Sequence, residues 1–138
     1  MDEAHPIQPV QYRMSFINAV ISALKQYTVF KGRASRAEYW WFSLFSALAG
    51  SAAHTLSLET GDTHGVIAAI VQVALILPGI SVGVRRLHDT GRNGWWMLIS
   101  FTLIGLIPLW IFFCLRSQPF PNKYGDIPCK KTSKETFE

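Results

Sequence analysis

Three long stretches of the chain contain no charged side chain. They are Tyr39 to Leu58, Thr63 to Val84 and Asn93 to Leu115. Each is close to the ~20 residues that an α-helix needs to cross about 30 Å of hydrocarbon. A helix of a soluble protein normally carries a polar stripe, whereas these runs contain only scattered Ser, Thr and Gln side chains. The pattern therefore predicts an all-α, polytopic membrane protein rather than a soluble bundle with buried helices.

The segments outside these runs define the predicted organisation of the chain. Residues 1–12 contain two prolines and no apolar period, and they are expected to form a flexible arm. From Arg13 to Phe30 apolar residues recur at helical spacing, which predicts an amphipathic helix. Two placements fit that helix: in the headgroup layer, or packed on the protein's own spans. Residues 13–128 are expected to form one integral membrane domain, followed by a charged, disordered tail at 129–138.

Three transmembrane helices preceded by this amphipathic interfacial helix are expected, with spans at about residues 39–58, 65–84 and 95–115. Aromatic rings suited to the membrane–water interface stand at the starts of the first and third spans: Tyr39, Trp40, Trp41, Trp95 and Trp96. Glycines that allow helices to approach closely lie within the first two spans: Gly50, Gly79 and Gly83.

The segment between the second and third runs, Val84 to Trp96, carries three arginines, a His-Asp pair and a tryptophan doublet. We call it the central stretch. If the second helix continues to about Asp89, helical spacing places four polar residues on one face at the membrane surface: Arg85, His88, Asp89 and Arg92. His88 and Asp89 are adjacent in sequence and point apart on a helix, which argues against a catalytic dyad.

A second group of arginines precedes the first run, between Gly32 and Glu38. Ser35 and Glu38 have the spacing of a capping box, which predicts a helix start at this point. Antiparallel packing of the first two spans would bring this segment against the central stretch. If Asp89 pairs with one arginine only, the other guanidiniums are free to bind a phosphate. The candidate residues for binding an anionic headgroup or phosphate are Arg33, Arg36, Arg85, Arg86, His88, Asp89 and Arg92.

The distribution of basic residues predicts the orientation. None of the 13 Lys and Arg residues lies in the loop from Glu59 to His64, so this loop is expected outside and the central stretch in the cytoplasm. Three full spans place the tail outside, although its lysines and arginines favour the inside. A re-entrant third segment, bent at Gly105 and Pro108, would reconcile the two. Three spans are preferred, because they expose no unpaired backbone to lipid.

No residue set in the sequence predicts a metal site, a cofactor or a catalytic nucleophile. The letters from Gly79 to Gly83 match the G-x-S-x-G pattern of serine hydrolases, but they lie inside an apolar run instead of a strand-to-helix turn. Cys114 and Cys129 have neither C-x-x-C spacing nor histidines nearby. Basic residues gather at the membrane boundaries, which favours lipids and not nucleic acid as partners.

The charged segments resemble those of a known bacterial family. The motifs F-x-G-R-x-S-R-x-E-Y-W at 30–40, R-R-L-H-D-T-G-R-x-G-W-W at 85–96 and N-x-Y-G at 122–125 are similar to the "domain of unknown function 805" family. Asn93 stands where that family usually has Ser, and residues 126–128 replace its usual Gly-Pro-Asp-Pro ending. The resemblance implies a multi-pass protein of the bacterial plasma (inner) membrane. It supplies no activity, substrate or catalytic residue.

Three classes of function remain open at this point. The preferred one is a non-enzymatic membrane module that binds anionic lipid headgroups or a partner protein through a cytoplasmic arginine-rich surface. The second is a small transporter or channel component, which would work as a homo-oligomer because three helices enclose little lumen. The third is a membrane enzyme acting on a lipid phosphate, with His88 as acid or base. It is disfavoured, since no nucleophile or metal cluster accompanies His88.

Overall fold

The computed structural model describes residues 14–128, and over this range the chain is helical with no β-strand. The described elements are α1 (Phe16–Lys25), α2 (Arg36–Glu59), α3 (Val66–Asp89), a 3-10 helix (Gly94–Phe101) and α4 (Leu106–Cys114). The all-α class predicted from the sequence is confirmed. The predicted arm at 1–12 and the predicted tail at 129–138 lie outside the described residues.

α2 starts where the capping box was predicted, but only half of the box forms. Ser35 Oγ accepts a hydrogen bond from the backbone N–H of Glu38 at 3.1 Å. The Glu38 carboxylate does not return to the backbone of Ser35. It lies 3.1 Å from Arg85 Nη1 and accepts a hydrogen bond from Ser22 Oγ at 3.0 Å, because the buried Arg85 needs a charged partner.

The turn between α2 and α3 supplies the caps that the start of α3 lacks. Gly65 stands at the N-cap with φ of 64°, and it has no side chain to accept a hydrogen bond. Asp62 Oδ2 accepts from the backbone N–H of Ile67 at 2.9 Å, and Ser57 Oγ accepts from that of Ala68 at 3.3 Å. Hydrogen bonds from backbone N–H groups to the carboxylate, of which that from Ile67 has the largest effect, lower the pKa of Asp62 from its ordinary value. The two side chains satisfy donors that a helix start leaves unpaired.

α3 continues through Pro78 to Asp89, so it includes the first part of the central stretch. Every buried residue of α3 lies at or after Pro78, and none lies between Val66 and Leu77. The two halves of this helix therefore have different surroundings. Its C-terminal half packs against the rest of the protein, whereas its N-terminal half is largely open on the outside of the α2–α3 pair.

α1 is shorter than the predicted helix at 13–30 because the carbonyls after its end are used by α3. Ser81 Oγ lies 2.7 Å from the carbonyl oxygen of Gln26 and 2.8 Å from that of Val29. Ser81 thereby fixes the segment after α1 on α3. The serine of the G-x-S-x-G pattern is thus a structural residue that binds backbone carbonyls. The side of α1 that packs on the protein is made of small residues: Ala19, Val20 and Ala23.

The third apolar run does not form one continuous helix over 95–115, as its length predicted. It forms the 3-10 helix and α4, joined by a tight turn at residues 102–105. A Cβ built on Gly105 would lie 2.2 Å from the carbonyl oxygen of Ile99, so the turn requires glycine. Pro108 is in the first turn of α4, where proline is tolerated, and the chain bends before it.

Both ends of this two-helix segment meet the C-terminal half of α3. A Cβ built on Gly94 would lie 2.7 Å from Val84 Cγ1, which shows how closely the 3-10 helix begins against α3. At the other end, the guanidinium of Arg86 donates hydrogen bonds to the carbonyls of Phe113 and Leu115. The segment leaves the end of α3 and comes back to it. The third apolar run is therefore a hairpin of two short helices, and three transmembrane helices are not confirmed.

Candidate functional site

The Gly32 to Glu38 segment and the central stretch lie against each other, as the sequence predicted. The backbone N–H of Ala34 donates to the carbonyl of Arg85 at 3.0 Å. His88 Nδ1 lies 3.2 Å from the carbonyl oxygen of Gly32. Because these contacts involve the backbone of both segments, they fix the start of α2 on the end of α3.

Asp89 is the centre of a buried ion-pair cluster. Its side chain is 0% exposed and binds two arginines, one through each carboxylate oxygen. Oδ1 accepts from Arg33 Nε at 2.9 Å and lies 2.8 Å from Arg33 Nη2, while Oδ2 accepts from Arg86 Nη1. Removing a carboxylate from water is costly, and two charge-assisted contacts offset that cost. Asp89 thus pairs with both Arg33 and Arg86, whereas a single arginine partner was expected from the sequence.

The two arginines also donate hydrogen bonds to backbone carbonyls at the C-terminal end of α4 and in the segment after it. Arg33 donates to Gln118 at 2.7 Å and to Phe120 at 2.8 Å. Arg86 donates to Phe113 and Leu115, where the carbonyls at a helix C-terminus favour a cation. These guanidiniums were expected to be free for a ligand, and that part of the prediction is wrong. They hold the C-terminal segment on α3.

Arg85 is also buried, at 2% exposure, and makes a separate set of contacts. Its Nη1 lies 3.1 Å from the carboxylate of Glu38 and donates to Gln26 Oε1 at 2.9 Å. Its Nε and Nη2 are buried and have no hydrogen-bond partner among the described residues. Arg85 therefore ties α3 to α1 and α2 and does not face outward.

The segment after α4 covers the end of α3 through residues that the sequence analysis did not assign to the site. The ring of Tyr124 stacks on His88 with centroids 3.9 Å apart and an interplanar angle of 2°. Asn122 Nδ2 donates to the carbonyl of His88 at 2.9 Å, and the backbone N–H of Gln118 donates to that of Asp89 at 3.2 Å. The N-x-Y-G letters after the last apolar run were the signal that could have identified this contact.

Arg36 and Arg92 are the candidate arginines that remain accessible. Arg92 follows the left-handed turn at Gly91 (φ 76°), so it does not share the α3 face with His88 as predicted. Its guanidinium carbon lies 3.8 Å from the ring centroid of Phe112. Arg36 is exposed at the first position of α2, and its Nη1 donates to the carbonyl of Cys114 at 3.3 Å.

A surface cavity of about 410 Å³ lies beside Arg36. Its lining residues are Arg36, Ala37, Trp40, Trp41 and Cys114. The pocket combines one guanidinium with two indole rings, which suit a boundary between water and hydrocarbon. Other exposed cations lie in the segments around this end of the α2–α3 pair: Lys31, Arg116 and Lys123.

The three predicted packing glycines lie at contacts between elements. A Cβ on Gly50 would be 3.3 Å from Gln72 Nε2, one on Gly79 would be 3.9 Å from Phe42, and one on Gly83 would be 2.5 Å from Met97. These positions permit the close approach of α2 and of the 3-10 helix to α3. Within residues 14–128, no group of three or more His, Cys, Asp or Glu side chains could hold a metal ion.

Comparison with known proteins gives the family. The family "Protein of unknown function (DUF805)" matches residues 27–126. Inner membrane protein YhaI of Escherichia coli K12 is 38% identical over 109 residues, which cover 78% of this chain and 92% of that protein. Inner membrane protein YhaH of the same strain is 34% identical over 113 residues, covering 78% and 93%.

A more partial match is the uncharacterized protein YiiR of E. coli K12, 38% identical over 87 residues and covering 54% of this chain and 53% of that protein. No solved structure matches. Among the described helices, α3 is long and apolar enough to cross a membrane. The family match covers the three motifs at 30–40, 85–96 and 122–125 and most of the chain. The chain therefore belongs to the DUF805 family.

Proposed function

We propose that this chain is a multi-pass inner-membrane protein that binds anionic lipid headgroups at the cytoplasmic end of the α2–α3 pair. The proposed site is the cavity lined by Arg36, Trp40 and Trp41, which we call the headgroup pocket. The observation that carries the proposal is the position of exposed Arg36 beside two tryptophans, at the point where the first apolar run begins. The names of the related inner membrane proteins support the location. Membrane lipids are accordingly the proposed partners.

The proposed membrane arrangement has two crossing helices and one re-entrant segment. α2 and α3 contain 24 residues each, enough to cross about 30 Å at ~1.5 Å per residue. Two serines of α2 satisfy their hydroxyls within the helix, since Ser43 donates to the carbonyl of Tyr39 at 2.9 Å and Ser51 to that of Ala47 at 2.9 Å. This internal bonding makes these two positions of α2 compatible with hydrocarbon.

The 3-10 helix and α4 fit a re-entrant segment in length and in surface. Their 8 and 9 residues extend about 16 Å and about 14 Å, roughly half the thickness of the hydrocarbon core. The residues around the turn are apolar and project from the protein, with exposures of 86% for Phe101, 86% for Leu103 and 85% for Ile104. Lipid would cover these side chains.

The orientation follows from charge and leads to a labelling experiment. The 59–64 turn lacks Lys and Arg, whereas the buried cluster and the exposed cations lie at the other end of α2 and α3, so the cations are proposed to face the cytoplasm. In a background with Cys114→Ser and Cys129→Ser, a cysteine at Thr63 should react with an impermeant thiol reagent in intact cells. A cysteine at Lys123 should react only after the cells are opened. Labelling of Lys123→Cys in intact cells would support three full spans.

The chemistry of the headgroup pocket favours a phosphate at the depth of lipid headgroups. Arg36 donates one hydrogen bond to the carbonyl of Cys114 and makes no other hydrogen bond among the described residues, so most N–H groups of its guanidinium are available. It stands in the first turn of α2, where unpaired backbone N–H groups also favour an anion. Trp40 and Trp41 can contact the glycerol and upper acyl region of the same lipid. The charged Arg36 and the amphipathic rings of Trp40 and Trp41 thus match the charged headgroup and the less polar glycerol region of a phospholipid.

Lipid retention by single-residue variants tests this proposal. The protein is purified in mild detergent with phosphatidylglycerol or phosphatidylcholine, and bound lipid is counted by native mass spectrometry. Arg36→Gln is expected to weaken phosphatidylglycerol retention by about tenfold or more, as loss of a charge-assisted hydrogen bond implies. The matched control is Arg116→Gln, which removes an exposed cation that does not line the pocket. Equal retention by Arg36→Gln and the parent protein would refute the headgroup pocket.

A further inference from the structure

A groove of about 390 Å³ runs between α2 and α3, on the part of the pair that would face hydrocarbon. It is separate from the headgroup pocket, and the two share no lining residue. Most of its lining is apolar, but Ser46 of α2 and Gln72 of α3 also line it. Gln72 lies six residues into α3, about 9 Å along the helix axis from Val66.

Two polar side chains of this groove, Ser46 and Gln72, have no hydrogen-bond partner among the described residues. Ser46 Oγ is buried and has no hydrogen-bond partner among residues 14–128, unlike Ser43 and Ser51, which donate to their own helix. The amide of Gln72 packs against Gly50 without a hydrogen bond from any described residue, and the side chain is exposed. Because hydrocarbon offers no donors or acceptors, an exposed amide at this depth is costly without a polar partner.

The N-terminal half of α3 adds an open apolar face to this groove. No residue between Val66 and Leu77 is buried, and Val73 and Ile76 are 67% and 54% exposed. Acyl chains could cover these residues, but acyl chains cannot hydrogen-bond Gln72. The occupant must bring a donor and an acceptor to the middle of an apolar surface.

We infer that a second copy of this chain covers the groove and forms a symmetric dimer centred on Gln72. A primary amide carries both donors and an acceptor, so two glutamines related by a two-fold axis satisfy each other. Gly79, which lines the same groove, lets another helix approach α3 closely. A second copy also places its own Gln72 at the same depth, because both copies have the same orientation in the membrane.

Disulfide cross-linking in native membranes tests the interface directly. In the background lacking Cys114 and Cys129, Ile76→Cys lies one turn from Gln72 in the groove, and Ala74→Cys lies on the opposite side of α3. Both positions are at nearly the same depth. Oxidation is expected to cross-link Ile76→Cys into a dimer and to leave Ala74→Cys monomeric. Absence of an Ile76→Cys dimer, or equal cross-linking at both sites, would overturn the inference.

Substitution of Gln72 tests the role of the amide. Gln72→Leu replaces the amide with an aliphatic group of similar bulk and removes its hydrogen bonds, so the dimer measured by energy transfer in bicelles should dissociate about threefold to thirtyfold more readily. Gln72→Asn should restore part of the association. If Gln72→Leu associates as tightly as the parent, or if the parent is a monomer with only lipid bound, the dimer is wrong.

The two sites are distinguishable by the same measurements. Gln72→Leu should leave phosphatidylglycerol retention unchanged, because Gln72 does not line the headgroup pocket. Arg36→Gln should leave Ile76→Cys cross-linking unchanged for the corresponding reason. Each variant therefore serves as the folding control for the other.

Discussion

The two halves of α3 are held by different forces. From Pro78 to Asp89 the helix is packed on α1, α2 and the C-terminal segment, and it ends in a buried cluster of charges. From Val66 to Leu77 it has no buried residue, and one exposed amide interrupts its apolar surface. Within lipid the hydrophobic effect does not drive helices together, so packing and polar contacts must do so. In this protein those contacts are concentrated at the charged end.

The largest effect is expected from removing the charge at the centre of that end. Asp89→Asn leaves Arg33 and Arg86 buried without their carboxylate, and breaking a buried ion pair costs about 3–5 kcal/mol. The free energy of unfolding, measured by denaturant titration in detergent, should fall by that amount, or the variant should fail to accumulate. Asp126→Asn, at an exposed position, is the control. A loss below 1 kcal/mol for Asp89→Asn would mean that the cluster does not hold the fold.

The sequence allowed the charged end to be located, but not its internal pairing. Helical spacing placed Arg85 and Asp89 on one face at the end of the second helix, and antiparallel spans brought the Gly32 to Glu38 segment to the same end. The partner that completes the cluster, Arg33, lies 56 residues before Asp89 in the chain. Local periodicity carries no information on which of several arginines is buried. The prediction of free guanidiniums failed for that reason.

The third apolar run shows a second limit of sequence reasoning. Its length of about 20 residues fits a full span equally well as a hairpin of two short helices. What selects the hairpin is the close turn at Gly105 together with Arg86, which binds the carbonyls at the end of α4. The first of these is a local signal, because Gly105 and Pro108 mark a bend in the sequence itself. The second is a tertiary contact, and no pattern of hydrophobicity contains it.

A smaller effect is expected where the hairpin turns. Gly105→Ala places a methyl group against a backbone carbonyl that cannot rotate away, and such overpacking typically costs about 1–3 kcal/mol. Gly83→Ala is the matched control, because its methyl group would meet the end of the flexible Met97 side chain. Unfolding titrations of both variants should show the larger loss for Gly105→Ala. The reverse order would show that the hairpin is not closed by this turn.

A contact at the rim of the charged end should matter less. Tyr124→Ala removes the ring stacked on His88, and an aromatic pair of this kind contributes about 0.5–1.5 kcal/mol beyond the area it buries. Phe120→Ala truncates another aromatic ring in the same segment, one that is 73% exposed, and should change stability little. Limited proteolysis should show faster cleavage between α4 and Tyr124 in the first variant only. Equal cleavage of both variants would place the holding contacts elsewhere.

The smallest effect is expected at the other end of α3, and it should depend on pH. Asp62 is partly exposed, and hydrogen bonds from the backbone of Ile67 and Val66 lower its pKa from the ordinary value of 3.8. A carboxyl group whose pKa is lower in the folded state stabilises the fold fully above its unfolded pKa, and this stabilisation is lost as the pH falls through the folded pKa. Asp62→Asn keeps an oxygen acceptor but removes the charge, so it should be less stable than the parent near pH 6.

That difference should shrink on acidification to below the folded-state pKa of Asp62, because the parent then carries a neutral side chain as well. Glu59→Gln, an exposed acid at the end of α2, controls for the general loss of negative charge in this turn. Since the N-terminal half of α3 has no buried residue, its helical start depends on such caps more than on packing. A stability difference between Asp62→Asn and the parent that stays constant from pH 6 downward would show that the charge of Asp62 does not stabilise this end.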